Sequence, residues 1–391
     1  MLKINESSIE ILEDLLREKI QKHLQNLGIS KSKNGRLETN GNDKDTIRAL
    51  HRTQREDRIK SNTDFISKHS NNLLKYFASG FDVVPELISP KLERVFAGTW
   101  QAELFRFATF TWSVPVSRGY GRRLRFLVWD SSNNKLIGLI ALGDPVFNLS
   151  VRDKHIGWNL EERTSRLVNI MDAYVLGALP PYSFLLGGKM IACLVRSLEI
   201  YNEFIQTYGN RIGVISKKNK QARLLAVTTS SSMGRSSVYN RLKLSNVQYF
   251  KSIGYTQGWG HFHIPDDLFI EMREYLRKID HKFADHYQFG HGSNWRLNAT
   301  RVALHNLGLK MNLLRHGINR EVFICEFADN ANTILCTGAG IPVTTTLLNV
   351  NQIAKQSLER WILPRSMRRS EFCRWENTEI LNLLKLAHKN I

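Results

Sequence analysis

The chain has 391 residues, of which 42% are hydrophobic and 10% aromatic. This size and composition allow two or three domains with a sizeable core and exclude a chain that is disordered throughout. Fifty-five lysines and arginines face 36 acidic residues, a formal charge of +19, which favours a polyanionic partner such as nucleic acid or a membrane surface. The alternative is a generally basic globular protein without such a partner.

Cysteine spacing and the N-terminus bear on location. The four cysteines, Cys193, Cys325, Cys336 and Cys373, form no CxxC pair, so we expect reduced thiols and neither a disulfide framework nor a structural zinc site. The first residues do not resemble a signal peptide, and the sequence has no run of about 18 apolar residues. We therefore expect a cytoplasmic protein without a membrane span.

Residues 1–95 are predicted to form a helical region. Four aliphatic residues recur at helical spacing: Ile9, Leu12, Leu16 and Ile20. Residues 30–46 are polar and rich in turn formers, which predicts a mobile linker. A second helix follows, and the acidic Glu56 and Asp57 among its basic residues favour a solvated face over a binding face.

Residues 96–265 are predicted to form an α/β core (α+β). Aromatic and β-branched residues predict an antiparallel meander of strands at 105–114, 124–129 and 135–142. An apolar strand, a glycine turn and a long helix that ends at Tyr208 come next. The remaining predicted elements are a strand at 224–229, a short helix at 236–244 and a strand region at 248–264. Residues 266–391 are expected to be mostly helical, with a short strand at 322–327.

The first candidate site is the turn Gly187-Gly188-Lys189, between an apolar segment and a helix. Glycines there permit close approach of a ligand, and free amides at a helix start attract anions such as a pyrophosphate. Neither a Walker pattern nor GxGxxG is present. A plain helix-start turn is the alternative.

The order of elements over residues 100–265 is similar to that of the GNAT acetyltransferase fold. The resemblance implies a glycine turn that holds the pyrophosphate of coenzyme A, and a tyrosine, here Tyr239, near the acyl group. The family's usual Arg or Gln three residues before its glycine loop is absent, because position 184 is Phe. The prediction is therefore a GNAT-like scaffold, with its cofactor undetermined.

The second candidate site is denser in chemistry. Two guanidiniums, hydroxyls, an amide and a phenol lie within one segment, which contains Arg235, Ser236, Ser237, Tyr239, Asn240 and Arg241. Arginine offers a planar bidentate donor for phosphate, and hydroxyls with backbone amides complete such a cradle. We expect phosphate binding here, with Ser236 or Tyr239 as nucleophile or acid if a reaction occurs. The alternative is a serine-rich turn that caps a helix.

The third candidate site is the histidine pair His261 and His263. On a strand both would point to one face, as an acid–base pair or as part of a metal site with Asp266 or Asp267. No third ligand stands at a diagnostic spacing, so a packed or solvated pair is favoured and no metal is expected.

Further basic residues follow in glycine-rich or aromatic surroundings. Arg296 ends the segment Tyr287–Arg296, and Arg315 lies in a basic turn. A late cluster comprises Arg365, Arg368, Arg369 and Arg374, near Trp361 and Trp375. Arginine interleaved with tryptophan suits contact with a nucleic-acid backbone together with base stacking. A solvated helix face, with its arginine stems covering apolar surface, is the alternative.

Seven short blocks occur in one order: 143–147, 180–183, 186–189, 234–241, 254–258, 294–296, and 315–317 with 320–323. Together they resemble the DruA family of the Druantia anti-phage defence system. The resemblance implies a role in restricting phage alongside other Druantia proteins, one of them large and helicase-like. It supplies no catalytic residues and no reaction.

Three functions remain open at this point. The chain could bind phage DNA for its partners. It could instead be an enzyme that modifies or cleaves nucleic acid or a nucleotide. The third possibility is an acyl-type transferase on the GNAT-like scaffold.

Overall fold

The structure is a computed structural model that describes residues 6–26, 29–31, 37–39, 44–116, 121–212, 221–257, 263–285, 295–309 and 318–385. The helices are α1 Glu6–Asn26, α2 Lys44–Lys60, α3 Thr63–Leu73, α4 Trp100–Thr109, α5 Ser150–Ile156, α6 Leu160–Arg166, α7 Gly187–Leu194, α8 Leu198–Tyr208, α9 Asp266–Lys278, α10 Trp295–Asn306, α11 Ala331–Thr337, α12 Val350–Ser357, α13 Leu363–Arg368 and α14 Glu379–Leu384. The strands are β1 Ile29–Lys31, β2 Leu37–Thr39, β3 Pro90–Arg94, β4 Arg123–Asp130, β5 Lys135–Gly143, β6 Ile170–Ala178, β7 Ala226–Ser230, β8 Lys243–Leu244, β9 Val247–Gln248, β10 Lys251–Tyr255 and β11 Glu321–Glu326.

The chain divides into two compact units, each built from separate stretches of sequence. Unit 1 comprises residues 1–61 and 257–319, and unit 2 comprises residues 62–256 and 320–391. This division differs from the predicted boundaries after residues 95 and 265. Local patterns cannot reveal that residues 257–319 pack with the N-terminal helices, because such contacts join residues more than 200 positions apart.

Unit 1 is built from α1, α2, α9 and α10, with α1 and α10 both packed on α9. The predicted apolar face of the first helix is confirmed, since Leu16 and Ile20 are buried. Within the predicted linker at residues 30–46, β1 and β2 pair as antiparallel strands and α2 begins at Lys44.

Unit 2 has a seven-stranded mixed sheet with the order β10-β11-β7-β6-β5-β4-β3. Every neighbouring pair is antiparallel except β6 with β7, which pair in parallel. The predicted strands at 124–129, 135–142, 224–229 and 322–327 are confirmed within a residue or two at most ends, and so is a mixed α/β core. The largest apolar cluster includes residues of α7, α8 and the sheet.

The predicted strand at 105–114 is wrong, because residues 100–109 form α4 and the first strand of the meander is β3. Aromatic residues suggested a strand, but Leu104, Phe107 and Ala108 recur at helical spacing and are buried together with Phe105. Tertiary packing of this kind overrides intrinsic strand propensity. A start signal was present in the sequence, since the Thr99 hydroxyl caps the helix by accepting a hydrogen bond from the Ala102 N–H at 3.3 Å.

Two further element predictions are corrected. The predicted helix at 236–244 is a series of turns that leads into the β8–β9 hairpin. Within the predicted strand region 248–264, the strands are β9 and β10 in the described part, and residues 258–262 lie outside the described residues. In the described parts of the chain, no helix is both long and apolar enough to cross a membrane.

Candidate nucleic-acid interface

The loop after β7 is organised around Ser236. This side chain is buried, and its hydroxyl accepts hydrogen bonds from the N–H groups of Val238, at 3.1 Å, and Tyr239, at 3.3 Å. The Asn240 side-chain amide donates to the Ser236 carbonyl at 2.7 Å. Ser236 and Asn240 therefore shape the loop from within, and the geometry gives the Ser236 hydroxyl a structural part.

Glu321, at the start of β11, anchors this loop from a distant part of the sequence. Its carboxylate is buried and accepts from the Ser236 N–H at 3.3 Å and from the Ser252 hydroxyl at 2.9 Å. Its own N–H donates to the Gly234 carbonyl at 3.1 Å. Glu321 has no signature in the sequence as part of this site, because only the antiparallel pairing of β11 with β7 and β10 brings it here.

Arg235, Ser237 and Arg241 lie on the outside of the same loop. All three are exposed, and among the residues that the structure describes no carboxylate lies within 4.0 Å of either guanidinium. Arg241 adopts a left-handed backbone conformation with φ of 57°. The structure thus separates the predicted set into an inner scaffold and an outer group of two arginines and a hydroxyl.

These arginines belong to a longer basic stretch that the sequence analysis missed. Residues 204–256 contain nine lysines and arginines and neither aspartate nor glutamate. A count of acidic residues along the chain would have found it. Arginines without carboxylate neighbours keep their full capacity to bind phosphate.

Tyr239 and Asp172 are titratable groups near this loop. The Tyr239 ring packs between Phe250 and Phe323, with centroid distances of 5.1 and 5.2 Å, and burial raises its pKa to about 12. The Asp172 carboxylate, in β6, accepts a hydrogen bond from the Thr228 hydroxyl at 2.9 Å, and burial raises its pKa to about 6. At neutral pH Tyr239 is a proton donor and Asp172 is mostly ionised.

The glycine turn is confirmed as the start of a helix, α7. A Cβ on Gly187 would lie 2.7 Å from the Tyr182 carbonyl oxygen, so this position requires glycine, whereas a Cβ on Gly188 would meet nothing within 4 Å. Lys189 Nζ lies 5.5 Å from the centre of a Trp361 ring. Among the described residues, no hydrogen bond, ion pair or ring contact joins this turn to the 235–241 loop.

A separate polar cluster lies within unit 1. His263 Nε2 lies 2.7 Å from Asp57 Oδ2, and the same oxygen accepts from the Asp266 N–H at 3.1 Å, at the start of α9. The Arg296 guanidinium bonds the other carboxylate, that of Asp266. Asp266 or Asp267 was the predicted partner of the histidine, but Asp57 is the hydrogen-bonded one, because α2 lies against the start of α9.

This cluster also bears on metal binding and on Arg296. Asp57, His263 and Asp266 offer ligand atoms within 4.8 Å of one another. The Arg296 guanidinium neutralises Asp266, and Asp57 is satisfied by its bonds to His263 and to the Asp266 N–H. These contacts explain the cluster as a structural connection between α2 and the start of α9. Burial is the largest cause that lowers the pKa of His263. His261 and Arg315 lie outside the described residues.

The late cluster differs from its prediction. Trp361 and Trp375 are buried, so neither offers a free face on which a base could stack. Arg365 Nε donates to the Phe184 carbonyl at 3.1 Å, and Arg369 pairs with Glu371 at 3.0 Å. Arg368 and Arg374 are exposed.

Comparisons with known proteins identify the family. The family model described as Druantia protein DruA matches residues 41–337. The Druantia protein DruA of Escherichia coli (strain UMEA 4076-1) is 60% identical over 377 residues, which cover 96% of this chain and 93% of that protein. No solved structure matches. The chain therefore belongs to the DruA family, the Druantia proteins of anti-phage defence.

Proposed function

We propose that this chain serves Druantia defence by binding nucleic acid, phage DNA above all, through the exposed face of the 235–241 loop. The observation that carries the proposal is the pair Arg235 and Arg241, both exposed and without a carboxylate within 4.0 Å among the described residues. Each guanidinium can bind a phosphate through two parallel hydrogen bonds. In the same proposal the chain is cytoplasmic and acts with other Druantia proteins, including a large helicase-like one.

Charge distribution supports this choice of surface. Unit 2 has fourteen more basic than acidic residues and unit 1 has five more, which together make the +19. Within unit 2, the stretch 204–256 contains nine cations and no acidic residue of its own, and Lys251 pairs with Glu326 outside it. An approaching polyanion is attracted most strongly where cations are not paired, so the loop lies in the favoured part of unit 2.

The loop is also held in place before any ligand arrives. Glu321 fixes Ser236 through its N–H, and Ser236 fixes the next residues through its hydroxyl. A loop that is already ordered loses less conformational entropy on binding than a flexible one. This arrangement supports a binding surface over a loop with only structural contacts.

The test is binding of a short DNA duplex and a short single strand, followed by fluorescence anisotropy over a salt series from about 50 to 200 mM. R235A/R241A should weaken binding and reduce the slope of log affinity against log salt by about two, one for each lost phosphate contact. R48A/R369A is the matched control, because it also removes two charges, each paired with a carboxylate in the native protein.

An equal loss of DNA affinity in both double variants would show that binding depends on overall charge and not on this loop. Wild-type binding that is weak and independent of salt would refute the proposal. Protection of cells against phage is the second readout. It should be lost with R235A/R241A at unchanged protein abundance and retained with R48A/R369A.

A second candidate function, binding of coenzyme A for acyl transfer on a GNAT-like scaffold, is favoured by one feature of the sheet. After the antiparallel meander, β6 is followed by the glycine turn and α7, and the chain later returns as β7, which is parallel to β6. These two strands pair only over three residues each, 170–172 with 226–228. Beyond that point the Thr229 hydroxyl donates to the Ala173 carbonyl at 2.9 Å, in place of a backbone ladder. Separated parallel strands leave polar backbone groups for a ligand.

Phe184 argues against coenzyme A binding, because GNAT acetyltransferases usually have Arg or Gln at the corresponding position, three residues before the glycine loop. Isothermal titration with coenzyme A separates the two functions. If it binds at the glycine turn, Gly188→Trp should abolish binding by filling the open space beside that residue, while Ile341→Trp, at an exposed position elsewhere, should not.

A further inference from the structure

Unit 2 carries a group of exposed apolar side chains that the proposed DNA surface does not use. Phe81 is 75% exposed, Leu87 61% and Met367 83%, and Val84 lies between the first two. The residues 85–87 pack along α13, which contains Met367. We call these four residues the Leu87–Met367 surface. Exposed apolar groups clustered in this way mark sites of interaction with other molecules.

The backbone beneath this surface is closely packed. The Gly80 N–H donates to the Trp375 carbonyl at 2.7 Å, and a Cβ on Gly80 would lie 2.1 Å from the Phe372 carbonyl oxygen. Val83 and Ile88 lie in the same segment as the exposed residues and are buried in the core. The exposed side chains are therefore held outward by an ordered segment, which is the condition for a preformed docking surface.

Arginines outnumber carboxylates around this surface. Residues 360–374 contain five arginines and one acidic residue, Glu371, which is paired with Arg369, while residues 81–88 add Glu86 and Asp82, the latter 4.0 Å from Lys135. Arg368 and Arg374 are exposed, and no carboxylate in the described residues lies within 4.0 Å of either guanidinium. A partner that covers the apolar side chains would thus gain from acidic residues at its edge.

The apolar groups distinguish a protein from a nucleic acid as the occupant. Base stacking requires accessible aromatic faces, and on this surface Phe81 alone of the described residues offers one, because the two tryptophans of this region are buried. Valine, leucine and methionine are instead groups that pack into protein interfaces, in which methionine is enriched. A second copy of this chain fits less well, because self-association would bring two arginine-rich edges together.

We propose that the Leu87–Met367 surface binds an acidic segment with apolar side chains that belongs to another protein of the Druantia system. The apolar residues of that segment would cover Leu87 and Met367, and its carboxylates would pair with Arg368 and Arg374. This partner site is separate in sequence from the 235–241 loop, so it does not depend on DNA binding.

The test measures binding of this full chain to each of the other Druantia proteins, purified singly, by biolayer interferometry. L87D/M367D should weaken binding at least tenfold, because it puts carboxylates opposite an acidic partner and removes the apolar contact. R368E/R374E should do the same and abolish the salt dependence. Ile341→Asp is the matched control, since Ile341 is 83% exposed outside this surface and should leave binding unchanged.

Three results would overturn the proposal. The first is that no Druantia protein binds the wild-type chain at micromolar concentration. The second is binding that both double variants leave unchanged. The third is a wild-type dimer, seen by light scattering, that L87D/M367D converts to monomers, which would assign the surface to a second copy. Circular dichroism and urea unfolding of L87D/M367D should match those of the wild type, which confirms that the variant is folded.

Discussion

The buried carboxylate of Glu321 accepts a hydrogen bond from the N–H of Ser236, 3.3 Å away and 85 positions earlier in the sequence. This contact joins the start of β11 to the loop that carries Arg235 and Arg241. It explains why a serine-rich segment between two strands keeps one conformation without forming a helix.

Glu321→Gln tests this anchor. The neutral amide can still accept from the Ser236 N–H and donate to the Ser252 hydroxyl, but both bonds lose the negative charge of the acceptor, so we expect the free energy of unfolding to fall by about 1–2 kcal/mol. The variant raises the net charge by one, which by itself would strengthen DNA binding, yet we expect weaker binding because the loop loses its order. Urea unfolding and anisotropy measure the two effects.

Glu326→Gln is the control for this prediction. Glu326 lies in the same strand and pairs with the half-exposed Lys251, so its loss should cost less than about 1 kcal/mol. Unchanged or tighter DNA binding by Glu321→Gln would show that the anchor has no part in the interface.

The sequence predicted the sheet better than the loops around it. Strands β4 and β5 follow from long runs of apolar and β-branched residues, which few other structures accommodate. The segment 236–244 has helix-capping serines, but Glu321 satisfies the Ser236 N–H and fixes turns instead. Local signals cannot include a partner that tertiary structure supplies.

The candidate site was predicted in composition but not in arrangement. The sequence grouped Arg235, Ser236 and Arg241, and only the structure separates the buried serine from the exposed arginines. Likewise, the pairing of His263 with Asp57 spans 206 positions and has no signature in spacing. Burial and long-range pairing depend on packing, which a single sequence does not specify.

The pH dependence of stability should reveal Asp172. Its pKa is about 6 in the folded protein against 3.8 in the unfolded chain, so the folded state binds the proton more tightly. Stability that is present below about pH 4 is therefore lost as the pH rises to about 6, by up to roughly 3 kcal/mol. Asp172→Asn should remove this loss and be more stable than the wild type at pH 7, as measured by urea unfolding. Equal stability of the two proteins at both pH values would contradict the prediction.

The tie between α2 and α9 in unit 1 should depend on Asp57. Asp57→Ala removes the acceptor for both His263 and the Asp266 N–H, and we expect a loss of about 1–2 kcal/mol. Asp45→Ala, in the same helix, should cost little, because its pair with Arg48 is exposed. Hydrogen exchange of α9 amides measures the difference, and equal protection in the two variants would refute the assignment.

The same tie should weaken in acid. Burial is the main cause that lowers the pKa of His263 below its usual 6.5, so the unfolded chain binds the proton more tightly than the folded protein. The contribution to stability is complete above pH 6.5 and falls as the pH drops toward the folded pKa. Urea unfolding at pH 5.5 and 7.5 should show a smaller pH effect in His263→Gln than in the wild type.

The two adjacent glycines of the α7 turn should respond oppositely to alanine. Gly187→Ala forces a Cβ to 2.7 Å from the Tyr182 carbonyl oxygen, which belongs to the backbone and cannot move aside, so we expect a loss of about 1–3 kcal/mol. Gly188→Ala meets nothing within 4 Å and lies at the second position of a helix, so it should stabilise the protein by about 0.5–1 kcal/mol. Urea unfolding of both variants is the measurement. If Gly188→Ala were destabilised, the space beside this residue would not be open, and the glycine turn could not accept coenzyme A.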